Sequence, residues 1–205
     1  MGVFADHLEK PGVTEVLNLR SSFGVMAFHG GFLEKVTDLI ADEVATATKS
    51  SYYGVLHGED VPTHISSKFV DPADSPALRE FLGHVDVAVA IHGYGRDHLR
   101  KVILLGGSNR QLAEHIAEQL ADDLPKYEAR FAIDDIPKEL RGLHPDNPVN
   151  RPAQGGVQIE LPPTLRWNWD ERNWSDHGGA RRAPQVNIFI ESLGRAIRSW
   201  DGPGH

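Results

Sequence analysis

The sequence contains no cysteine, so neither disulfide bonds nor thiolate metal ligands can contribute to this protein. Any bound metal ion would depend on histidine, aspartate or glutamate, and the chain has 11 histidines. No apolar run approaches the roughly 20 residues that a membrane-spanning helix needs. The first residues, "MGVFADHLEK", lack the basic-then-apolar pattern of a signal peptide. We therefore expect a chain that is cytoplasmic on synthesis and has no membrane partner.

Basic residues are also scarce, with 21 against 29 acidic residues and a formal net charge of −8. A nucleic-acid-binding protein normally presents a basic face, so the balance argues against a nucleic-acid partner. An acidic small substrate stays possible, because a local cluster of arginines can override the global sign. The length of 205 residues and the 40% hydrophobic content predict a single domain over 1–205, and we expect a monomer.

Strand-like and helix-like segments alternate along the chain. Apolar or β-rich runs predict strands at 14–19, 23–29, 51–58, 85–93, 101–107, 127–133 and 156–161. Helical spacing and caps predict helices at 32–48, 75–83, 108–124 and 183–200. This alternation is typical of an α/β fold with a mixed, partly parallel sheet flanked by helices. The polar, tryptophan-rich segment 166–182 has no periodicity, and we interpret it as a loop or lid.

Two predicted strands end in a His-Gly pair, "VMAFHGG" with His29 and "AVAIHGYG" with His92. Ligands of α/β proteins bind beyond the carboxyl ends of the strands, so both imidazoles are candidate site residues. Glu34 lies in the predicted first helical turn, and together the three side chains could form a catalytic zinc set. Alternatively, each histidine bonds only to backbone, and Glu34 favours the helix dipole. A third such histidine, His57, could support the ligands from behind or contact the substrate, but we interpret it as a loop residue.

Glu160, in "GGVQIELP", is the candidate general base. If it is buried among apolar neighbours, its pKa would rise to a value suited to acid–base catalysis. The sequence pattern favours the opposite arrangement, because Gln158 and Glu160 alternate with Val157, Ile159 and Leu161. By alternation alone, Glu160 would face solvent.

Five segments in this order resemble the poly-γ-glutamate hydrolase family: "AFHGGFLE", "THISSKF", "VAIHGYG", "ILLGGSN" and "GVQIELPPTLR". The resemblance spans about positions 15–200. Members of this family are zinc peptidases of phage and bacterial origin. The resemblance implies a zinc-carboxypeptidase-like fold and hydrolysis of a γ-glutamyl-type amide bond. The expected substrate is an acidic peptide or polymer, either poly-γ-glutamate or a related cell-wall or capsule peptide. A phage context would also allow release from the cell by host lysis.

The resemblance also implies roles for individual side chains. One Zn²⁺ ion would be bound by three residues: His29, Glu34 and His92. Glu160 would be the catalytic carboxylate, and Arg166 would bind a substrate carboxylate or the oxyanion. Further substrate contacts are expected from His64 and Arg110, and we add Arg151 because a polyanion bound to a chain of net charge −8 needs local cations. The alternative function is a non-catalytic module that binds a ligand or polymer on the same fold.

Overall fold

The computed structural model describes residues 2–61 and 63–202, and its centre is a sheet of seven strands. The spatial order is β1-β3-β2-β4-β7-β5-β6. The bounds are β1 (Val13–Asn18), β2 (Ser21–Gly31), β3 (Ser50–His57), β4 (Val87–Gly93), β5 (Val102–Leu105), β6 (Glu128–Arg130) and β7 (Gly156–Leu161).

Parallel pairing dominates the middle of this sheet. Strands β3, β2, β4 and β7 are mutually parallel, so their carboxyl ends meet at one edge. Strand β1 is antiparallel to β3, and β5 is antiparallel to β7 but parallel to β6. The predicted α/β fold with a mixed, partly parallel sheet is confirmed.

Helices cover both faces of the sheet: α1 (Val3–Leu8), α2 (Thr37–Thr48), α3 (Pro76–His84), α4 (Arg110–Asp123), α5 (Pro163–Arg166) and α6 (Pro184–Arg198). The larger core lies on the face of α2, α4 and α6, where β2 contributes Val25 and Ala27. The smaller core lies on the face of α1 and α3, and β2 contributes Met26 and Phe28 to it. No helix among the described residues is long and apolar enough to cross a membrane.

The predicted cap Ser75 is confirmed, and the helix predicted from 108 begins at Arg110 with Asn109 as its cap. The hydroxyl of Ser75 accepts a hydrogen bond from the Leu78 amide (2.9 Å), with Pro76 in the first turn of α3. The side chain of Asn109 does the same for the Leu112 amide (2.9 Å) at the start of α4. Each cap satisfies one of the amides that a helix start leaves unpaired.

The predicted start of α2 is wrong by five residues, and α1 is not predicted at all. Helix α2 begins at Thr37 instead of Phe32, because Val36 has a left-handed backbone (φ 79°) that cannot continue a helix. The residues between them form turns. Glu34 therefore lies in a turn that precedes α2, and the helix-dipole explanation for this residue does not apply.

The tryptophan-rich segment contains more regular structure than a loop. After α5 it forms a hairpin of two short antiparallel strands, β8 (Trp167–Asn168) and β9 (Asn173–Trp174). The rings of Trp167 and Trp174 meet edge to face, with centroids 5.3 Å apart. This contact fixes the two strands against each other.

Candidate active site

A bulge at the end of β2 determines the direction of His29. The pairing with β3 passes from Ala27–Gly54 to Gly30–Leu56, so three steps on β2 match two on β3. Without the extra residue, strict alternation would put His29 on the face of Val25 and Ala27. The bulge turns it toward the opposite face, where His92 lies. Bulges beside functional sites commonly redirect a side chain in this way.

The two glycines after His29 are required by close contacts. A Cβ on Gly30 would lie 2.5 Å from the Cβ of Asp38. Gly31 has a positive φ of 72°, and a Cβ there would lie 2.3 Å from the His57 carbonyl oxygen. A residue with a side chain would therefore fit at neither position unless the backbone moved.

Glu34 is brought back to His29 by the turn that follows the glycines. Its amide donates to the His29 carbonyl (2.8 Å), and its own carbonyl accepts from the Thr37 hydroxyl (2.7 Å). One carboxylate oxygen also accepts from the Gly93 amide at the end of β4 (2.9 Å). The carboxylate is thus fixed between the ends of β2 and β4.

His29, Glu34 and His92 converge on one point. The Nδ1 atom of His29 lies 3.0 Å from Glu34 Oε1, and the Nδ1 atom of His92 lies 3.4 Å from Glu34 Oε2. The two Nδ1 atoms are 3.3 Å apart. Both imidazoles are buried at the carboxyl edge of the parallel strands. The structure therefore brings the three predicted metal ligands together.

The hydrogen bonding of His29 fits a metal ligand. Its Nε2 atom lies 2.8 Å from the carbonyl oxygen of Ile65, which can only accept, so Nε2 carries the proton. In the neutral ring, Nδ1 then presents a lone pair toward Glu34 and the Nδ1 of His92. A metal-binding histidine typically has its second nitrogen on such a carbonyl. Two imidazoles and one carboxylate are also the donor set that zinc accepts in catalytic sites.

The buried imidazoles and the Glu34 carboxylate shift one another's pKa values. Burial raises the pKa of Glu34, but the neighbouring His29 and His92 outweigh this effect and hold it well below its ordinary value. Burial alone would lower the pKa of His92, yet the Glu34 carboxylate raises it above the usual range. The cluster therefore stabilises a carboxylate anion, as a cation site requires.

His64 lies on the solvent side of the same cluster. Its Nε2 is 3.8 Å from Glu34 Oε1, and its ring centroid is 4.2 Å from that of His29. Donor atoms of His29, Glu34 and His64 all lie within 4.8 Å of one another. The sequence assigns His64 to substrate, and the structure makes it a second candidate for the third ligand. His92 is buried and closer, whereas half of the His64 side chain is exposed.

Glu160 is buried, contrary to the alternation argument. It pairs in register with His92 on the adjacent strand, and Gln158 donates to its Oε1 (2.8 Å). Asn147 in turn donates to the Gln158 side chain (2.7 Å). Gln158 and Glu160 do face away from the larger core, but the loop that carries Asn147 covers that side of β7. Burial raises the pKa of Glu160 to about 7, although the nearby His92 acts in the opposite direction.

Arg166 passes across the end of β4 close to the cluster. A Cβ on Gly93 would lie 2.5 Å from the guanidinium carbon, so this glycine leaves the space that Arg166 occupies. The guanidinium donates to the Lys35 carbonyl (2.8 Å) and lies 5.0 Å from the centre of the Trp174 ring. Burial lowers the pKa of Arg166 to about 10, so it remains a cation at neutral pH.

Two of the predicted substrate contacts do not reach the site. The guanidinium of Arg110 donates to backbone carbonyls, at 2.8 Å to Leu105 and 3.1 Å to Gly107, and also to Phe131. Arg151 pairs with Asp146 (3.3 Å) in the loop before β7. Neither arginine lines the cleft at the cluster. In the sequence nothing distinguishes an arginine that holds a loop from one that binds substrate.

The expectation that His57 is a loop residue is wrong. It is buried at the end of β3, its Nδ1 bonds to the Gly30 carbonyl (3.2 Å), and its Nε2 meets Nε2 of His7 (2.8 Å). Sequence analysis does not identify His7, which stands between Asp6 and Leu8 near the start of the sequence. The His7–His57 pair holds the backbone beside the bulge in place, because His57 bonds to Gly30 and Gly30 directly follows His29.

An open cleft of about 410 Å³ gives access to these groups. Its walls include His29, Glu34, His64, His92 and Glu160. A substrate entering the cleft would therefore meet the imidazole–carboxylate cluster and the Glu160 carboxylate together.

The family model for poly-gamma-glutamate hydrolase matches residues 6–191. The chain belongs to this family. Known structures support the assignment at the level of the fold. A bacteriophage poly-gamma-glutamate hydrolase superimposes with a TM-score of 0.77 at 22% identity, over 94% of this chain and 92% of that one. The zinc-free apo form of YNDL superimposes with a TM-score of 0.78 at 22% identity, over 95% and 94%.

Other solved structures are less similar to this chain. A metallo-carboxypeptidase from Burkholderia cenocepacia has a TM-score of 0.49 and 8% identity, over 93% of this chain and 65% of that one. Similarity at this level does not bear on function. No curated protein matches the chain significantly by sequence.

Proposed function

We propose that this member of the poly-gamma-glutamate hydrolase family is a zinc-dependent enzyme that cleaves γ-glutamyl amide bonds. The observation that carries the proposal is the convergence of His29 Nδ1, His92 Nδ1 and the Glu34 carboxylate within 3.0 to 3.4 Å of one another. Glu160, the neighbour of His92 in the sheet, lines the same cleft. His29, Glu34 and His92 would hold one zinc ion.

The bound ion would polarise the scissile carbonyl and bring the pKa of a water molecule toward about 7. Glu160 then accepts the proton of the attacking water and returns it to the leaving amine. Its pKa of about 7 suits both steps, because a group near the working pH can take up and release a proton. The hydrogen bond from Gln158 holds Glu160 Oε1 in one orientation.

Arg166 supplies the positive charge that an acidic substrate needs. Its guanidinium is buried beside the cleft and remains charged at neutral pH. Two of its contacts, to the Lys35 and Tyr94 carbonyls, fix its position, while the Nε atom has no hydrogen-bond partner among the described residues. We assign Arg166 to the carboxylate of a glutamyl unit or to the developing oxyanion, where loss of one donor costs about 3 kcal/mol.

Metal analysis and product analysis test this proposal together. Purified protein should contain one zinc ion per chain, and mass spectrometry should detect shortened γ-glutamyl chains after incubation with poly-γ-glutamate. His92→Ala should lose both metal and activity. His64→Ala, the matched control at the exposed edge of the cluster, should keep the metal. If His64→Ala loses zinc and His92→Ala keeps it, the ligand assignment is wrong.

The alternative function, a non-catalytic polymer-binding module, predicts a different result. Such a protein would bind poly-γ-glutamate without shortening it, with or without zinc. Hydrolysis of peptidoglycan stem peptides in place of poly-γ-glutamate would keep the chemistry but change the substrate.

A further inference from the structure

The tryptophan-rich hairpin forms a second cavity beside the active-site cleft. This tryptophan groove, of about 400 Å³, is lined by Trp167, Trp169, Trp174 and Pro163, with Arg96 and Arg100 at its rim. Trp169 is 63% exposed, more than any other large apolar side chain of the described residues. Trp167 and Trp174 are partly buried, so the three rings together present an apolar wall with one largely exposed member, which is typical of a binding surface.

The groove is continuous with the active-site cleft. A middle cavity of about 500 Å³ lies between them and is lined in part by Glu34, Lys35 and Arg166. It shares Glu34 and Gly95 with the cleft, and it shares Gly95 and Trp174 with the groove. A chain-like ligand held at the cluster can therefore continue past Arg166 and over the tryptophan rings.

The charges along this path fit an anionic chain. Lys35 and Arg166 line the middle cavity together with Glu34, and Arg96 and Arg100 line the groove together with Asp97, so cations outnumber acids along the path. Arg96 pairs with Glu139 (2.8 Å) and Arg100 with Asp97 (2.7 Å), and all four side chains are substantially exposed. Exposed ion pairs of this kind contribute little to the stability of the fold. A carboxylate of the ligand can therefore replace Glu139 or Asp97 as the partner of the arginine.

We propose that the tryptophan groove is an additional substrate site that binds glutamyl units remote from the scissile bond. Each unit of a γ-linked chain has two methylene groups between its amides and one free carboxylate. The methylene groups fit the faces of Trp167, Trp169 and Trp174, and the carboxylates fit the guanidinium groups at the rim. The groove therefore selects long chains over short ones. This inference rests on the proposed function.

Chain-length dependence tests the inference. Wild-type kcat/KM should increase from γ-glutamyl trimers to dodecamers. Trp169→Ala should lower kcat/KM for the dodecamer about tenfold and leave the trimer unchanged, as expected for loss of one well-placed aromatic contact. Because Trp169 is exposed, the substitution should not affect folding. Phe131→Ala is the control, since Phe131 is also an exposed aromatic residue but lies outside the groove and should affect neither substrate.

Binding to metal-free protein separates this inference from the proposed function. The dodecamer should bind wild type more tightly than Trp169→Ala by about tenfold, with no hydrolysis required. If metal-loaded wild type cleaves no γ-glutamyl chain but this difference in affinity persists, the proposed function is wrong while the binding site in the groove is supported. If Trp169→Ala affects the trimer and the dodecamer equally, or affects neither, the groove is not a substrate site. Tighter binding of a neutral glycan than of the dodecamer would also overturn it.

Discussion

Replacing Glu160 by Gln should separate catalysis from folding. The amide has nearly the same shape as the carboxyl group, and its oxygen can still accept the hydrogen bond from Gln158. It cannot take a proton from water. We expect kcat to fall by about 10²- to 10⁴-fold, the usual contribution of a general base, while zinc content stays at the wild-type value.

The same substitution should stabilise the metal-free protein at alkaline pH. Burial raises the pKa of Glu160 from 4.5 to about 7, so the folded state holds this proton more tightly than the unfolded state does. The resulting stability is complete below pH 4.5 and is lost as the pH rises through 7. At 1.36 kcal/mol for each pKa unit, the loss in wild type is about 3 kcal/mol at pH 8.5. Glu160→Gln does not ionise and avoids this loss.

Urea unfolding of the metal-free proteins at pH 5 and pH 8.5 measures the effect. The two proteins should be similar at pH 5, and the variant should be the more stable by about 3 kcal/mol at pH 8.5. A variant that is less stable than wild type at pH 8.5 would refute the burial argument. A variant with full activity would refute the assignment of Glu160 as the base.

Three further substitutions test particular contacts. Gly31→Ala should lower the free energy of unfolding by at least about 1–2 kcal/mol, because Gly31 has a positive φ. Its control is Gly83→Ala, where the new Cβ has no neighbour within 4 Å, and this variant should be neutral or stabilising in the same urea titration. Asn109→Ala removes the cap of α4 and should cost about 1–2 kcal/mol by thermal or chemical denaturation; an unchanged midpoint would contradict the cap's role. Arg110→Ala should destabilise the fold by about 1–3 kcal/mol yet leave kcat/KM unchanged, and a selective loss of kcat/KM would restore Arg110 to the substrate site.

Local pattern was sufficient to predict most of the framework. Apolar runs marked the strands that carry His29, His92 and Glu160, and caps such as Ser75 marked helix starts. The sequence predicts a partly parallel sheet but not its strand order; the observed parallel pairing of β2, β4 and β7 brings their carboxyl ends to one edge.

The remaining features depend on contacts between distant segments. The bulge that redirects His29 depends on pairing with β3, so alternation within β2 alone cannot reveal it. Glu160 is buried because a loop folds over β7, and alternation describes only which face a residue takes, not what covers that face. The buried His7–His57 pair joins residues that are 50 positions apart.

Zinc titration of the metal-free wild type tests the central claim most directly. Hydrolysis of poly-γ-glutamate should be absent without metal, should increase with added zinc, and should reach its maximum at one equivalent per chain. Full hydrolysis in the presence of excess chelator would contradict a zinc site formed by His29, Glu34 and His92.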